Sequence, residues 1–367
     1  MRLLVLGPVH SVHTLDIALA MRARGYDVHL AGAGSKQDPP AQLAGTGIGV
    51  TIFSIYTRGA PNTAGILARV RGLRNLAHAF RPEVVHAHVL SSDPFFAAVV
   101  GLGPLVATAW GSDVMLASRT ARWRNRFVAK RADALTADSA SLAGKLVSLG
   151  APVEHVHIVN WGVDLEQFSR SPEPKAELRR RLGLPDGRYI LSARAHMPIY
   201  NTDVVLASFA SLADRDPTVR LLLKHDGKTP LPEFARRHED RIHRFGFVAL
   251  SELIDYYRAA DVSVSIPSSD SSPRTVWESM GCGCPTIVSD LDWTEGMITP
   301  EVDALVVEIA PEPLAAAIER VLNDEELAHR LSDAGRKLVE THHDRATQMN
   351  RLSALYGALT DGRRGAS

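Results

Sequence analysis

Cysteine is nearly missing from this chain, with only Cys282 and Cys284 among 367 residues. One residue apart, they form no disulfide framework and supply too few ligands for a structural metal, so a reducing cytoplasm suits the sequence best. An excess of either charge is missing as well. The 41 basic and 41 acidic residues cancel, and bulk electrostatics point to neither nucleic acid nor an acidic partner. Long apolar runs are lacking too. The longest, Phe95 to Trp110, is broken by Gly101, Gly103 and Pro104, and reads as a core helix then a strand, not a membrane span. The opening MRLLVLGPVH gives a short strand before a turn, too short for the apolar core of a signal peptide. One local exception to the charge balance stands out. Residues 119 to 131 carry Arg119, Arg122, Arg124, Arg126, Lys130 and Arg131 with no acid. The plain reading is a solvated helix face; the alternative is contact with anionic lipid or an anionic acceptor.

The remaining composition, 45% hydrophobic and 22% charged, is that of a globular domain protein. Its length is too great for one core and predicts two domains of about 150–200 residues each. Strand and helix signals alternate throughout. Leu3–Leu6 reads as strand, His13–Arg24 as helix stopped at Gly25, and Val28–Ala31 as strand. Helix Ile66–Phe80, strand Val84–His88, helix Pro94–Val100 and strand Leu105–Thr108 follow. Helix Arg122–Ala132, strand Ala134–Ala137 and helix Ser139–Leu149 end the first round. A second round places strands at Tyr189–Ser192, Arg220–Lys224, Ile242–Phe245 and Ala304–Val307 among helices Ala176–Leu182, Asp203–Arg215, Ser251–Ala260, Pro311–Asn323 and Glu325–Glu340. Such alternation predicts parallel sheets covered on both faces, with ligands outside the carboxyl ends of the strands. The architecture expected is two doubly wound, Rossmann-like α/β domains facing across a cleft. Residues 1–165 form the first and 166–344 the second; 345–367 are a helix returning toward the first, with a flexible DGRRGAS tail.

Residues 261 to 290, DVSVSIPSSDSSPRTVWESMGCGCPTIVSD, are the most informative stretch. Asp261–Ile266 reads as a buried strand, and Thr286–Ser289 as another. Between them Ser272 is placed to cap a helix with Pro273 at its first position, and Gly281 and Gly283 end it. Free N–H groups from Ser272 to Thr275 then point out of the sheet edge and offer a seat for a phosphate or diphosphate. Glu278, one turn further in, leans back toward the same mouth, near Asp270. An anion seat beside two carboxylates able to hold hydroxyls suggests a nucleotide-sugar site.

With this motif in its place among the elements, the chain resembles the retaining glycosyltransferases of family four, group 1 type, which have the glycosyltransferase B fold. Asp270 and Glu278 match the family's spaced pair of acids, and WESMGCGCPTIVSD is similar to the run that follows the second. Trp161-Gly162-Val163-Asp164 with Phe168 resembles the interdomain signature; Arg81 to His88 and Trp110 to Asp113 resemble two N-terminal signatures. The resemblance implies transfer of a sugar from a nucleoside-diphosphate sugar to a hydroxyl acceptor with retention, by front-face displacement, without metal or other cofactor. It implies catalytic roles for Arg194, which neutralises the leaving diphosphate, and for Asp270, on the donor sugar. Glu278 would hold the ribose, and Ser271, Ser272, Arg274, Thr275, Gly246 and Phe247 would complete the donor site. His10, His13, His88, Trp110 and Asp113 are expected on the acceptor side. UDP is favoured over GDP on family frequency alone.

The chain departs from the family pattern at several positions. Asp270 stands for a glutamate, and Ser271-Ser272-Pro273 for Gly-Phe-Gly, which removes one amide donor that Arg274 is placed to replace. The lysine usual shortly after Arg194 is missing, and Lys224 at a strand end is the candidate to restore its charge. His86 and His88 share a strand face, but no third metal ligand is evident. A nucleotide-sugar epimerase of the same fold, or a transferase relative that binds donor without turnover, are the rival readings. The expected setting is cytoplasmic, with peripheral contact to the inner face of the cell membrane through the basic run. The acceptor and the oligomeric state are not written in the sequence.

Overall fold

A computed structural model describes residues 1–34, 38–53 and 63–364. The chain divides into two compact units, Met1–Trp161 with Thr347–Ser367, and Gly162–Ala346.

In the first unit, strands β1 (Arg2–Leu6), β2 (Asp27–Ala33), β3 (Gly49–Phe53), β4 (Val84–His88), β5 (Leu105–Thr108), β6 (Ala134–Ala137) and β7 (Val156–Ile158) form one sheet. Its order is β3-β2-β1-β4-β5-β6-β7, and every pairing is parallel. Helices α1 (Val12–Ala23), α2 (Thr63–Phe80), α3 (Asp93–Val100), α4 (Ser112–Met115), α5 (Arg119–Ala129) and α6 (Ala140–Ser148) connect the strands. Because strand side chains alternate, β1 feeds two cores. Leu4 and Leu6 pack with Leu73 of α2, Phe96 of α3, Val128 of α5 and Leu142 of α6. Leu3 and Val5 pack with Leu15 and Met21 of α1 and with Met349, Leu352 and Tyr356 near the chain end.

The second unit contains α7 (Lys175–Arg181), β8 (Arg188–Ser192), α8 (Thr202–Arg215), β9 (Val219–Lys224), α9 (Glu233–Arg236), β10 (Ile242–Phe245), α10 (Leu250–Ala259), β11 (Val262–Ser265), α11 (Arg274–Gly281), β12 (Thr286–Ser289), β13 (Leu305–Val307), α12 (Pro311–Asn323) and α13 (Glu325–His342). Its parallel sheet runs β10-β9-β8-β11-β12-β13. Tyr189 and Leu191 face α7, α10 and α11, while Ile190 faces α8 and α12. Both sheets are thus buried on two sides, as the run of β-branched and leucine residues requires.

Several boundaries differ from the sequence reading. The edge strands β3 and β7 were not anticipated; both are short and only partly buried. Helix α5 begins at Arg119 because Ser118 caps it, accepting from the Ala121 amide at 3.2 Å. The last helix, α14 (Arg345–Arg364), runs on through the stretch expected to be a flexible tail, whose final three residues lie outside the described ones.

Candidate active site

The order of each sheet reverses once, and at that point the loops leaving adjacent strands diverge and open a crevice. In the second unit the reversal falls between β8 and β11. Arg194 follows β8, Asp270 follows β11, and the two meet there, with Arg194 Nη2 donating to Asp270 Oδ2 at 2.5 Å. Arg194 Nη1 also donates to Thr275 Oγ1 at 3.3 Å, and its guanidinium lies 4.1 Å from the Tyr200 ring centroid. Sequence reasoning missed Tyr200, which stands where a lysine was expected nearby. Its ring fixes the plane of the arginine instead of adding a charge.

The loop before α11 takes one amide of the predicted anion seat. The Ser271 and Ser272 amides donate to Asp270 Oδ1 at 2.8 and 3.3 Å, so this carboxylate already occupies them. The helix opens at Arg274, not at Pro273, and Ser272 does not cap it. Its hydroxyl instead accepts from Trp277 Nε1 at 2.9 Å, tying the loop to the core. Arg274 does not extend outward as the expected replacement donor: its Nε donates to Glu278 Oε1 at 2.8 Å, one turn along.

Glu278 is buried, and its second oxygen accepts from the Tyr257 hydroxyl at 3.1 Å. Burial holds its carboxyl above the ordinary range, opposed by Arg274, the Tyr257 hydrogen bond and Lys224. Tyr257 was legible only as a core residue of α10; nothing in its spacing marks it as a partner of Glu278. Lys224, at the carboxyl end of β9, lies within electrostatic reach of Glu278 and Arg194, and its amine sits 5.2 Å from the Phe247 ring centroid. Burial lowers the Lys224 pKa, Glu278 raises it and Arg194 lowers it. Phe247 is 99% exposed beside it. Gly246 is exposed and not left-handed, and an added Cβ would meet only the His225 carbonyl at 4.0 Å. No local turn therefore demands glycine at that position. His196 and His225 were also missed: their rings lie 4.6 Å apart, tilted at 58°, after β8 and just after β9.

In the first unit the reversal lies between β1 and β4, and an aromatic cluster gathers at the carboxyl edge. The His13 ring lies 5.2 Å from Trp110 and 4.5 Å from Trp161, while Trp110 Nε1 donates to His88 Nδ1 at 3.3 Å. His88 is fully buried beneath these rings, so it orients the Trp110 indole from below. His10 does not join His13; its Nε2 meets the Asp38 carbonyl at 3.1 Å. Asp113 accepts the Leu90 and Trp110 amides at 2.6 and 2.9 Å, which fixes the turn carrying Trp110. His86 lies deeper. Its nitrogens meet Thr108 Oγ1 at 2.5 Å and the Tyr356 hydroxyl at 2.6 Å, which leaves none for a metal.

Two parallel α/β units with these strand orders form the glycosyltransferase B fold. Similar solved structures include sucrose-phosphate synthase from Thermosynechococcus elongatus (TM-score 0.81, 18% identity, 99% of this chain and 100% of that one) and HepE from Anabaena in complex with UDP-glucose (0.78, 18%, 98% and 100%). A profile described as Glycosyltransferase Family 4 matches residues 10–167, and one described as Glycosyl transferases group 1 matches 174–338. The chain belongs to the family four, group 1 glycosyltransferases. Among curated relatives, D-inositol 3-phosphate glycosyltransferase of Thermobispora bispora is 31% identical over 217 residues, covering 55% of this chain and 50% of that protein. The chain spans about half the length of the first curated relatives it matches.

Proposed function

We propose that the protein is a retaining glycosyltransferase that takes its sugar from a nucleoside-diphosphate donor, with UDP as the favoured nucleotide. The observation that carries this reading is the Arg194–Asp270 pair at the reversal point of the second sheet, with Lys224 and Glu278 close by. Arg194 supplies a permanent, planar cation for the leaving diphosphate. Lys224 adds a second positive charge where the family's usual lysine is missing. Glu278 holds the ribose hydroxyls, Asp270 turns to the donor sugar, and Ser271, Ser272, Arg274 and Thr275 shape the loop around the diphosphate. The open space over Gly246 and the exposed Phe247 ring suit a nucleoside lying across them. The solved complex of HepE with UDP-glucose, on a similar fold, supports the choice of nucleotide.

In the reaction, the bond from the anomeric carbon to the diphosphate oxygen breaks, and the acceptor oxygen bonds to the same face of that carbon. The departing phosphate oxygen takes the acceptor proton, so no separate general base is needed. Trp110 and His13 offer ring faces for an acceptor in the first unit, with Asp113 and His88 holding Trp110 in place. The epimerase reading gains no support, because both family profiles describe transferases. A thermal-shift screen with UDP, GDP, ADP and dTDP is the first test, since a ligand of the folded state raises its midpoint. Release of nucleotide from donor only when a cell extract supplies acceptor, with the product's anomeric configuration kept by NMR, is the expected second result. Nucleotide binding without turnover on any acceptor refutes the transferase reading in favour of a binding protein.

A further inference from the structure

The basic run has a structure that its composition alone does not give. On α5 the residues Arg119, Arg122, Trp123 and Arg126, with Lys130 at its C-cap, follow helical spacing and are all exposed. Arg119, Arg122, Arg126 and Lys130 make no side-chain hydrogen bond or ion pair among the described residues. In α7, by contrast, Lys175 and Arg179 pair with Asp261, and Arg181 with Glu173 and Asp255, while Arg180 is exposed.

The same face is not merely polar. Trp123 is 60% exposed and contacts Phe95 of α3 and Phe127, at 5.6 and 6.1 Å between ring centroids. Arg124 lies over Phe95 at 5.1 Å and Arg131 over Phe127 at 3.8 Å, which keeps both charges at the rim of the aromatic patch. Val99 and Leu116 are exposed alongside, at 43% and 59%. Four unpaired cations around an exposed indole and two aliphatic side chains match the two needs of an anionic bilayer surface: charge for the headgroups and apolar area for the acyl boundary. A nucleic acid would use the charges but leaves Val99 and Leu116 without a role. No described helix is long and apolar enough to cross a membrane, so such contact lies in the interface plane.

We propose that the outer face of α5, with Phe95 and Val99 of α3 and the exposed Leu116, is a docking surface for anionic phospholipid membranes. Because α4 leaves β5 at its carboxyl end and α5 follows directly, docking sets the edge that carries Trp110 beside the headgroups. The proposal does not depend on the transferase chemistry, and its test contains no sugar donor.

The test is co-sedimentation of the full chain with vesicles of equimolar phosphatidylglycerol and phosphatidylcholine, against phosphatidylcholine alone. The expected result is binding to the anionic vesicles that is lost on phosphatidylcholine and weakened in half-molar sodium chloride. At about fivefold per cation, Arg119→Gln/Arg122→Gln/Arg126→Gln weakens partitioning about a hundredfold. Its melting temperature stays that of the parent, since these side chains touch no partner. Trp123→Ala, which keeps every charge, lowers partitioning by at least about tenfold. Equal sedimentation of the parent and either variant overturns the proposal, as does equal binding to both vesicle types. Binding to a DNA oligonucleotide but not to anionic vesicles overturns it in favour of a nucleic-acid surface.

Discussion

Replacing Glu278 by glutamine separates what this residue does for the fold from what it does for a ligand. In the free protein the carboxylate is buried between Arg274 and Tyr257, and burial raises its pKa. The sign of the linkage follows. A carboxyl whose folded pKa lies above its unfolded value contributes stability below the unfolded value and loses it as pH rises through the folded one. Ionisation of Glu278 is therefore a cost to folding. Glutamine keeps the shape, donates to the Tyr257 oxygen and accepts from Arg274 through its carbonyl. Removing one partner of a buried ion pair costs up to about 3–5 kcal/mol through the charge left behind, but Arg274 keeps a fifth of its side chain in water, and relief of the burial cost of Glu278 offsets part of that loss. Against this, ribose hydroxyls that donate to a carboxylate lose a charge-assisted acceptor, about 1.5–3 kcal/mol, or roughly 10- to 150-fold in affinity. Thermal unfolding at neutral pH and titration calorimetry with UDP measure the two effects. The expected pair of results is a modestly lower melting temperature with clearly weaker nucleotide binding. A lower melting temperature with unchanged nucleotide affinity refutes the argument, because Glu278 would then serve the fold alone.

Arg194→Ala removes the cation opposite Asp270 and is expected to lower kcat by about 10²–10³-fold with a smaller change in KM. Arg194→Lys does not restore it, since an ammonium lacks the planar fork that meets both Asp270 and Thr275; steady-state kinetics on the two variants decide this. Gly246→Ala places a methyl in open space, so stability should stay within about 0.5 kcal/mol while UDP affinity falls; unchanged affinity removes Gly246 from the nucleotide site. Burial depresses the pKa of His86 and of His343 to about 3. Each contributes stability above the unfolded value of 6.5, lost as pH falls toward about 3, so melting temperature should drop through that window. A flat profile across it contradicts the burial argument. Tyr356→Phe leaves the buried His86 Nδ1 without its partner and should cost about 1–3 kcal/mol, read by denaturant unfolding.

The sheets were legible because both faces of β1, β4, β8 and β9 are covered, and continuous apolar runs bounded by turn residues betray such strands. Strands β3 and β7 escaped notice as short, half-covered edge strands. Within the site, Arg194, Asp270 and Glu278 were visible as charged residues at a strand end or in a short helix. Their partners were not. Tyr200 and Tyr257 come from segments whose spacing says only loop and core, and His225 follows a strand without any motif. Among the amides expected free before α11, that of Ser272 is taken, because the sequence shows an acid and a turn but not which atoms the acid will take. A carboxylate in the loop before a helix is itself a strong competitor for nearby amides, and Asp270 takes those of the next two residues. His88 shows the same limit: strand alternation set its face, while its depth under Trp110 and Trp161 came from loops far away in sequence.

On the proposed reading, the charges around the second unit's reversal point suit an anion. Arg194, Lys224 and Arg274 are three cations against the two carboxylates of Asp270 and Glu278, an excess of one positive charge with Lys224 held partly out of water. Lys224 feels this directly: burial and Arg194 disfavour its charged form, and only Glu278 supports it. A diphosphate on this edge reverses that balance by placing negative charge between Arg194 and Lys224. It also competes with Asp270 for Arg194, and a released Asp270 carboxylate is then available to accept sugar hydroxyls. On the proposed reading, the Arg194–Asp270 ion pair is the resting arrangement of two groups that part when donor binds, each taking a different piece of it. The short contact keeps both side chains oriented and shields the cation until the diphosphate replaces the carboxylate. Neither group then needs to be ordered at the moment of binding, which is where much of the entropy cost of recognition otherwise falls.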